Sequence, residues 1–186
     1  MARPVDRSDI VDYQSYEDER EAFRSRVMAV KDLRRIHVGD NLTFLFENHD
    51  TVRYQIQEMM RTERIVREDA IRHEIDTYNG LLGGAGGIGC SLLIEIDDPV
   101  DRRAKLEAWL DLPKHLYLKQ EDGSRVYAEY DREQVGDDRL SAVQYLRFDT
   151  GGRPAVAVGT DFPALTAETE FTPEQREALA SDLQDA

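Results

Sequence analysis

Two glutamates, Glu63 and Glu74, fall on the apolar side of the longest amphipathic stretch in the sequence. At about 100° per residue, Glu63 shares the stripe drawn by Val52, Ile56, Met59 and Ala70, and Glu74 lies close to the same line. A carboxylate turned toward a core needs a cation, a hydrogen-bond donor or a proton, because burying it unpaired costs several kcal/mol. Arg67, one turn beyond Glu63, is placed to pair with it. One reading is therefore a Glu63-Arg67-Glu74 network that fixes helix packing. The other is a carboxylate-lined pocket, with Glu63 and Glu74 as acid/base residues or as ligands.

Metal chemistry would draw on the same neighbourhood. Glu58 on another face of the helix, Glu47 at a strand end, and His49 and His73 nearby in sequence offer oxygen and imidazole ligands for a divalent cation. The spelling is unspecific, with no H-E-x-x-H and no paired Glu-x-x-His. Asp69 and His73 are one turn apart but face away from the apolar stripe, as a solvated pair would. Cys90 has no basic neighbour in sequence to make it a thiolate and reads as a buried thiol. Glu95 and Glu129 read as solvent-facing strand positions, or as the wall of a groove with Tyr127, Gln144 and Tyr145. The run Gly84 to Gly89 spells G-x-G-x-x-G, but it follows a helix and precedes a strand, the reverse of a dinucleotide-binding turn. It reads as a flexible or close-packed connector, and no NAD is expected.

The elements that must position these groups follow from periodicity. Ser15 to Leu33 is a helix with a Ser15 cap and with Lys31, Arg34 and Arg35 at the dipole's negative end. Ile36 to Val38 and Leu42 to Glu47 flank Gly39-Asp40-Asn41 as a hairpin. Asp50 or Thr51 caps a helix running to Asn79, continuous or broken near Glu68-Asp69. A strand over Ser91 to Ile96 precedes a short helix opened by Asp98-Pro99. His115 to Gln120, Arg125 to Asp131, Ala142 to Asp149 and Pro154 to Val158 read as four consecutive antiparallel strands, a meander. Phe162 to Phe171 is a loop, and Thr172-Pro173-Glu174-Gln175 opens a final helix over 173–184. The expected architecture is α+β over 1–186 as a single domain. It has an N-terminal helix and hairpin, the helix at 50–79, a mostly antiparallel β-rich part at 91–159, and the C-terminal helix.

The 186 residues suffice for one packed core, and a formal charge of -14 disfavours phosphate backbones and anionic lipid. Neither nucleic acid nor membrane partners are expected. A single cysteine, a charged N-terminus and no long apolar run suit a soluble cytoplasmic protein.

Four segments, Phe46 to Thr51, Gln57 to Ile65, His73 to Asn79 and Ser141 to Phe148, resemble the bacterial domain-of-unknown-function family numbered three-five-zero-one. The resemblance spans nearly the whole chain and brings no activity. It implies at most an accessory role in redox or peroxide metabolism, since the family's genes often lie beside rubrerythrin-like and iron-sulfur oxidoreductase genes. Glu58, Glu63, Glu74, Tyr78 and Asn79 fall within matching segments; His49 stands where an arginine is expected, and the glycine run replaces a loop that carries proline. The leading reading is a non-enzymatic accessory or interaction protein that docks a protein partner or self-associates as a homodimer, with Glu47, Tyr78 and Asn79 as pocket or partner positions. The alternative is a metal- or small-molecule-binding enzyme with a carboxylate-rich site.

Overall fold

The computed structural model describes residues 3–132, 135–136 and 138–184; Met1 and Ala2, the start of the charged N-terminal segment, lie outside the described residues. The chain runs α1 (Tyr13–Asp32), β1 (Arg35–Val38), β2 (Leu42–Glu47), α2 (His49–Glu63), α3 (Glu68–Asn79), β3 (Gly87–Ile94) and α4 (Pro99–Ala108). It continues through β4 (Leu116–Gln120), β5 (Arg125–Tyr127), β6 (Glu129–Tyr130), β7 (Val143–Asp149), β8 (Ala155–Thr160), β9 (Ala167–Glu170) and α5 (Pro173–Gln184). Two antiparallel sheets with helices around them make this an α+β fold, as the segregation of patterns predicts.

The first sheet has strand order β1-β2-β3-β7-β6 and the second β5-β4-β8-β9. The hairpin at Gly39-Asp40-Asn41 forms as read, with Val38 opposite Leu42. The meander does not run through one sheet. β7 pairs with β3 and β6, while β8 pairs with β4 and β9. The expected strand Arg125 to Asp131 divides at Ala128, its first half joining the second sheet and its last two paired residues the first. A further strand, β9, occupies what reads as loop; its Ala-Glu-Thr-Glu alternation is too polar to signal a strand and is ordered by pairing with β8.

Between the sheets lies the main core. Phe44, Phe46, Cys90, Leu92, Leu146 and Phe148, all at even positions of β2, β3 and β7, pack with Leu116, Leu118 and Val158 of the second sheet and with Leu179 of α5. A second cluster, Val52, Ile56 and Met60 of α2 with Ile71 and Ile75 of α3 and Val5 and Ile10, holds the helices together. The C-terminal helix is pinned by a buried fork. Arg34 donates through Nε and Nη2 to Asp182 at 2.7 and 2.8 Å, and Asn48 Nδ2 adds a bond to the same carboxylate at 3.2 Å.

The stretch 50–79 is two helices. α2 ends at Arg64, which takes the left-handed conformation with φ 53°, and Ile65 N–H then donates to the Met60 carbonyl. α3 begins at Glu68, and Arg67, its cap residue, pairs with Asp69 at 2.7 Å. The caps also differ from the sequence reading: Asp12, not Ser15, accepts from the first N–H groups of α1, and Asn48, not Asp50 or Thr51, caps α2. At the C-terminal helix the expected capping box forms, with Thr172 N–H donating to Gln175 Oε1 at 2.9 Å and Gln175 N–H to Thr172 Oγ1 at 3.3 Å.

Candidate functional site

Successive residues of a strand point to opposite faces. With the even positions of β2, β3 and β7 in the main core, Leu45, Glu47, Ser91, Leu93, Val143 and Tyr145 turn to the other face of the first sheet. There they meet Lys31 of α1, Thr51 and Gln55 of α2, and Tyr78 and Leu81 at the end of α3 and just beyond, around a cleft of about 200 Å³. Register sets the floor: Leu45, Ser91 and Tyr145 lie side by side across β2, β3 and β7, and Glu47, Gly89 and Arg147 form the next row.

Gly89 is needed there. A Cβ on it would sit 1.7 Å from the Leu81 carbonyl oxygen, so only glycine lets the chain after α3 settle on β3 and bring Leu81 to the cleft. The glycine run thus follows the close-packed version of the connector reading.

Glu47 is 7% exposed. Thr51 Oγ1 donates to its Oε2 at 2.5 Å and Ser91 Oγ to its Oε1 at 2.6 Å. The Thr51 hydroxyl is itself oriented by the cap of α2, since it accepts from Asn48 N–H at 2.9 Å. Two hydroxyl donors suit an ionised carboxylate, yet among the described residues no cationic side chain lies within 4.0 Å of it. Its charge is felt nearby: burial, and then Glu47, push the Cys90 thiol well up from its ordinary value. Lys31, half-buried, has its ammonium 5.0 Å from the centre of the Tyr54 ring. Burial pulls its pKa down, and the Glu47 charge opposes that shift. The cleft therefore holds a buried anion and a half-buried cation that do not pair with each other.

Of the residues singled out in the sequence, Glu47, Tyr78 and Tyr145 line this cleft. Asn79 does not; it clamps the N-terminal segment, accepting from Val5 N–H at 2.8 Å and donating to the Val5 carbonyl at 3.0 Å. Glu58 accepts from Tyr16 Oη at 2.7 Å and from Arg20 Nε at 2.8 Å, tying α2 to α1 and holding its carboxyl below the ordinary range. Glu63 is exposed at the end of α2, Glu74 is half-buried on α3 and His73 is exposed. The turn at Arg64 breaks the helical phase that aligned Glu63 with Glu74, and Arg67 pairs with Asp69 instead of Glu63, so the network drawn from one continuous helix does not form. Among the described residues no three His, Cys, Asp or Glu side chains group to hold a metal ion. Of the possible groove walls, Glu129 and Tyr145 line an adjoining groove of about 330 Å³ with Leu81 and Arg147, whereas Gln144 is fully buried, Glu95 accepts from Thr43 Oγ1 at 2.5 Å and Tyr127 donates to Asp161 at 2.6 Å, none of them on that lining.

Lys31, Gln55 and Ser91 carry no signal in the sequence as site residues. Lys31 reads as a dipole-matched cation, and only the pairing of β2 with β3 sets Ser91 beside Glu47. The family model described as Protein of unknown function (DUF3501) matches residues 4–183. The chain belongs to the DUF3501 family. The segments that resemble the family in sequence are thus matched over nearly the whole chain. The DUF3501 fold is also seen in a crystal structure titled a novel protein of unknown function from Burkholderia pseudomallei K96243. It is 31% identical with a TM-score of 0.89, and the likeness covers 97% of this chain and 100% of that one. No curated protein matches the chain. No described helix of this DUF3501 chain is long and apolar enough to cross a membrane.

Proposed function

We propose that this chain is a cytoplasmic small-molecule-binding accessory protein, and that its ligand presents a cationic group to Glu47 in the cleft between the first sheet and the helices. One observation carries the reading: a carboxylate 7% exposed, braced by two hydroxyls and without an ion-pair partner among the described residues, borders an open cleft. Keeping an unpaired charge buried costs several kcal/mol, a cost that a cationic ligand offsets. The cleft's volume of about 200 Å³ equals roughly seven water molecules at their share of liquid volume, which suits a metabolite rather than a polymer.

The test compares the purified chain with Glu47→Gln, which keeps the shape and removes the charge. Calorimetric titration with propylamine, a minimal ammonium probe, is expected to show saturable binding to the parent and none to the variant. Equal binding by both would refute the assignment. A protein partner is the second reading, favoured by Val143 and Tyr145, which are 37% and 44% exposed at the cleft's rim. A concentration-dependent dimer in sedimentation that Tyr145→Ser disperses, with no amine binding, would favour it.

A further inference from the structure

Two charges border the cleft, and among the described residues neither has an ion pair within 4.0 Å. Glu47 extends from the end of β2, and Lys31 from the last turn of α1. The Lys31 ammonium lies over the Tyr54 ring and not within ion-pair distance of the Glu47 carboxylate. Gln55, Tyr78 and Tyr145 on the lining add groups that both donate and accept hydrogen bonds. An ammonium ligand alone would satisfy Glu47 and leave the half-buried Lys31 cation facing another cation.

We propose that the ligand is a small zwitterion of the amino acid class, its ammonium held by Glu47 and its carboxylate by Lys31. This rests on the assignment of Glu47 as a cation-binding carboxylate and adds the second charge. Each end gains a charge-assisted hydrogen bond, and the one to Glu47 is strengthened by that carboxylate's burial. The aliphatic spacer lies on the apolar floor of Leu45 and Leu93. A cleft of about 200 Å³ accommodates short unbranched amino acids.

The test uses the full chain and titrates glycine, β-alanine and γ-aminobutyrate beside propylamine and propionate. At least one amino acid is expected to bind about tenfold or more tightly than propylamine and propionate. Lys31→Met, which keeps the stem on Tyr54, should abolish the advantage of that amino acid over propylamine when both are measured on the variant, while propylamine binds no more weakly than to the parent; circular dichroism verifies that the variant folds. Amino acids no tighter than propylamine, or an advantage that survives Lys31→Met, would overturn the zwitterion while leaving the Glu47 assignment in place. Binding of no amine by the parent would overturn both.

Discussion

Replacing Asp182 by alanine should destabilise the protein more than its position near the C-terminus suggests. The side chains of Arg34 and Asp182 are each 8% exposed, and the carboxylate takes both prongs of the guanidinium together with the Asn48 amide. Alanine leaves the guanidinium buried with only the carbonyls of Val30 and Ala178 as acceptors, neither of which cancels its charge. Breaking one half of a buried pair costs about 3–5 kcal/mol. At this chain length that corresponds to a fall in Tm of roughly 6–20 °C. Urea unfolding followed by circular dichroism measures it, with the slope checked so that a change in midpoint reports stability alone. The double variant Arg34→Met with Asp182→Leu removes both charges and should recover much of the loss, because an apolar pair of similar volume avoids desolvation. A single-variant loss under about 1 kcal/mol, or a double variant as damaged as the single, would refute the argument that the unpaired charge is what costs.

Gly89→Ala puts a methyl group 1.7 Å from a backbone oxygen and 2.8 Å from the carbonyl carbon of Leu81, so the chain after α3 must lift off β3. A loss of about 1–3 kcal/mol in urea unfolding is expected, with weakened ligand binding because Leu81 borders the cleft; stability within about 0.5 kcal/mol of the parent would contradict the close approach. Glu58 bears on acid stability. The Arg20 hydrogen bond lowers its folded pKa below the unfolded value, so its contribution is full above about pH 5 and is lost as pH falls through the lowered value. Melting curves between neutral and acid pH should show a shallower acid decline for Glu58→Gln, from a lower starting stability; parallel curves would show that Glu58 is not responsible.

Much of the fold is legible in residue pattern because it rests on local signals. Gly39-Asp40-Asn41 turns the first hairpin, Asp98-Pro99 opens α4, and the Thr172-Gln175 box opens α5. The break at Arg64 is harder to read because no glycine or proline marks it; an arginine takes the left-handed turn, and the apolar period runs on through Ile65. Angles counted past that point lose their reference, so Glu74 does not align with Glu63; Glu63 itself precedes the break and is exposed because it is the last residue of α2. Sheet membership is not local at all. Nothing in Val143 to Asp149 says that it pairs with β3 instead of with Ala155 to Thr160. The site inherits that opacity: Lys31, Glu47, Tyr78, Ser91 and Tyr145 come from five separate elements, and Glu47 is conspicuous alone as an acid closing a fully buried strand.

The pairing of β3 with β7 has a consequence for the order in which the molecule is made. β3 is complete by Ile94, but the strand that covers its second edge does not begin until Val143. During synthesis an apolar strand therefore waits with unpaired backbone groups while roughly fifty further residues are added, at a few seconds for the interval. Those seconds are the chain's exposure to mispairing and aggregation, and closing so long a loop slows refolding as well. The cleft spans the same seam, with Ser91 and Leu93 on one side and Val143 and Tyr145 on the other. It cannot form on a nascent chain that stops short of β7, so the proposed ligand binding waits until Asp149 has been added.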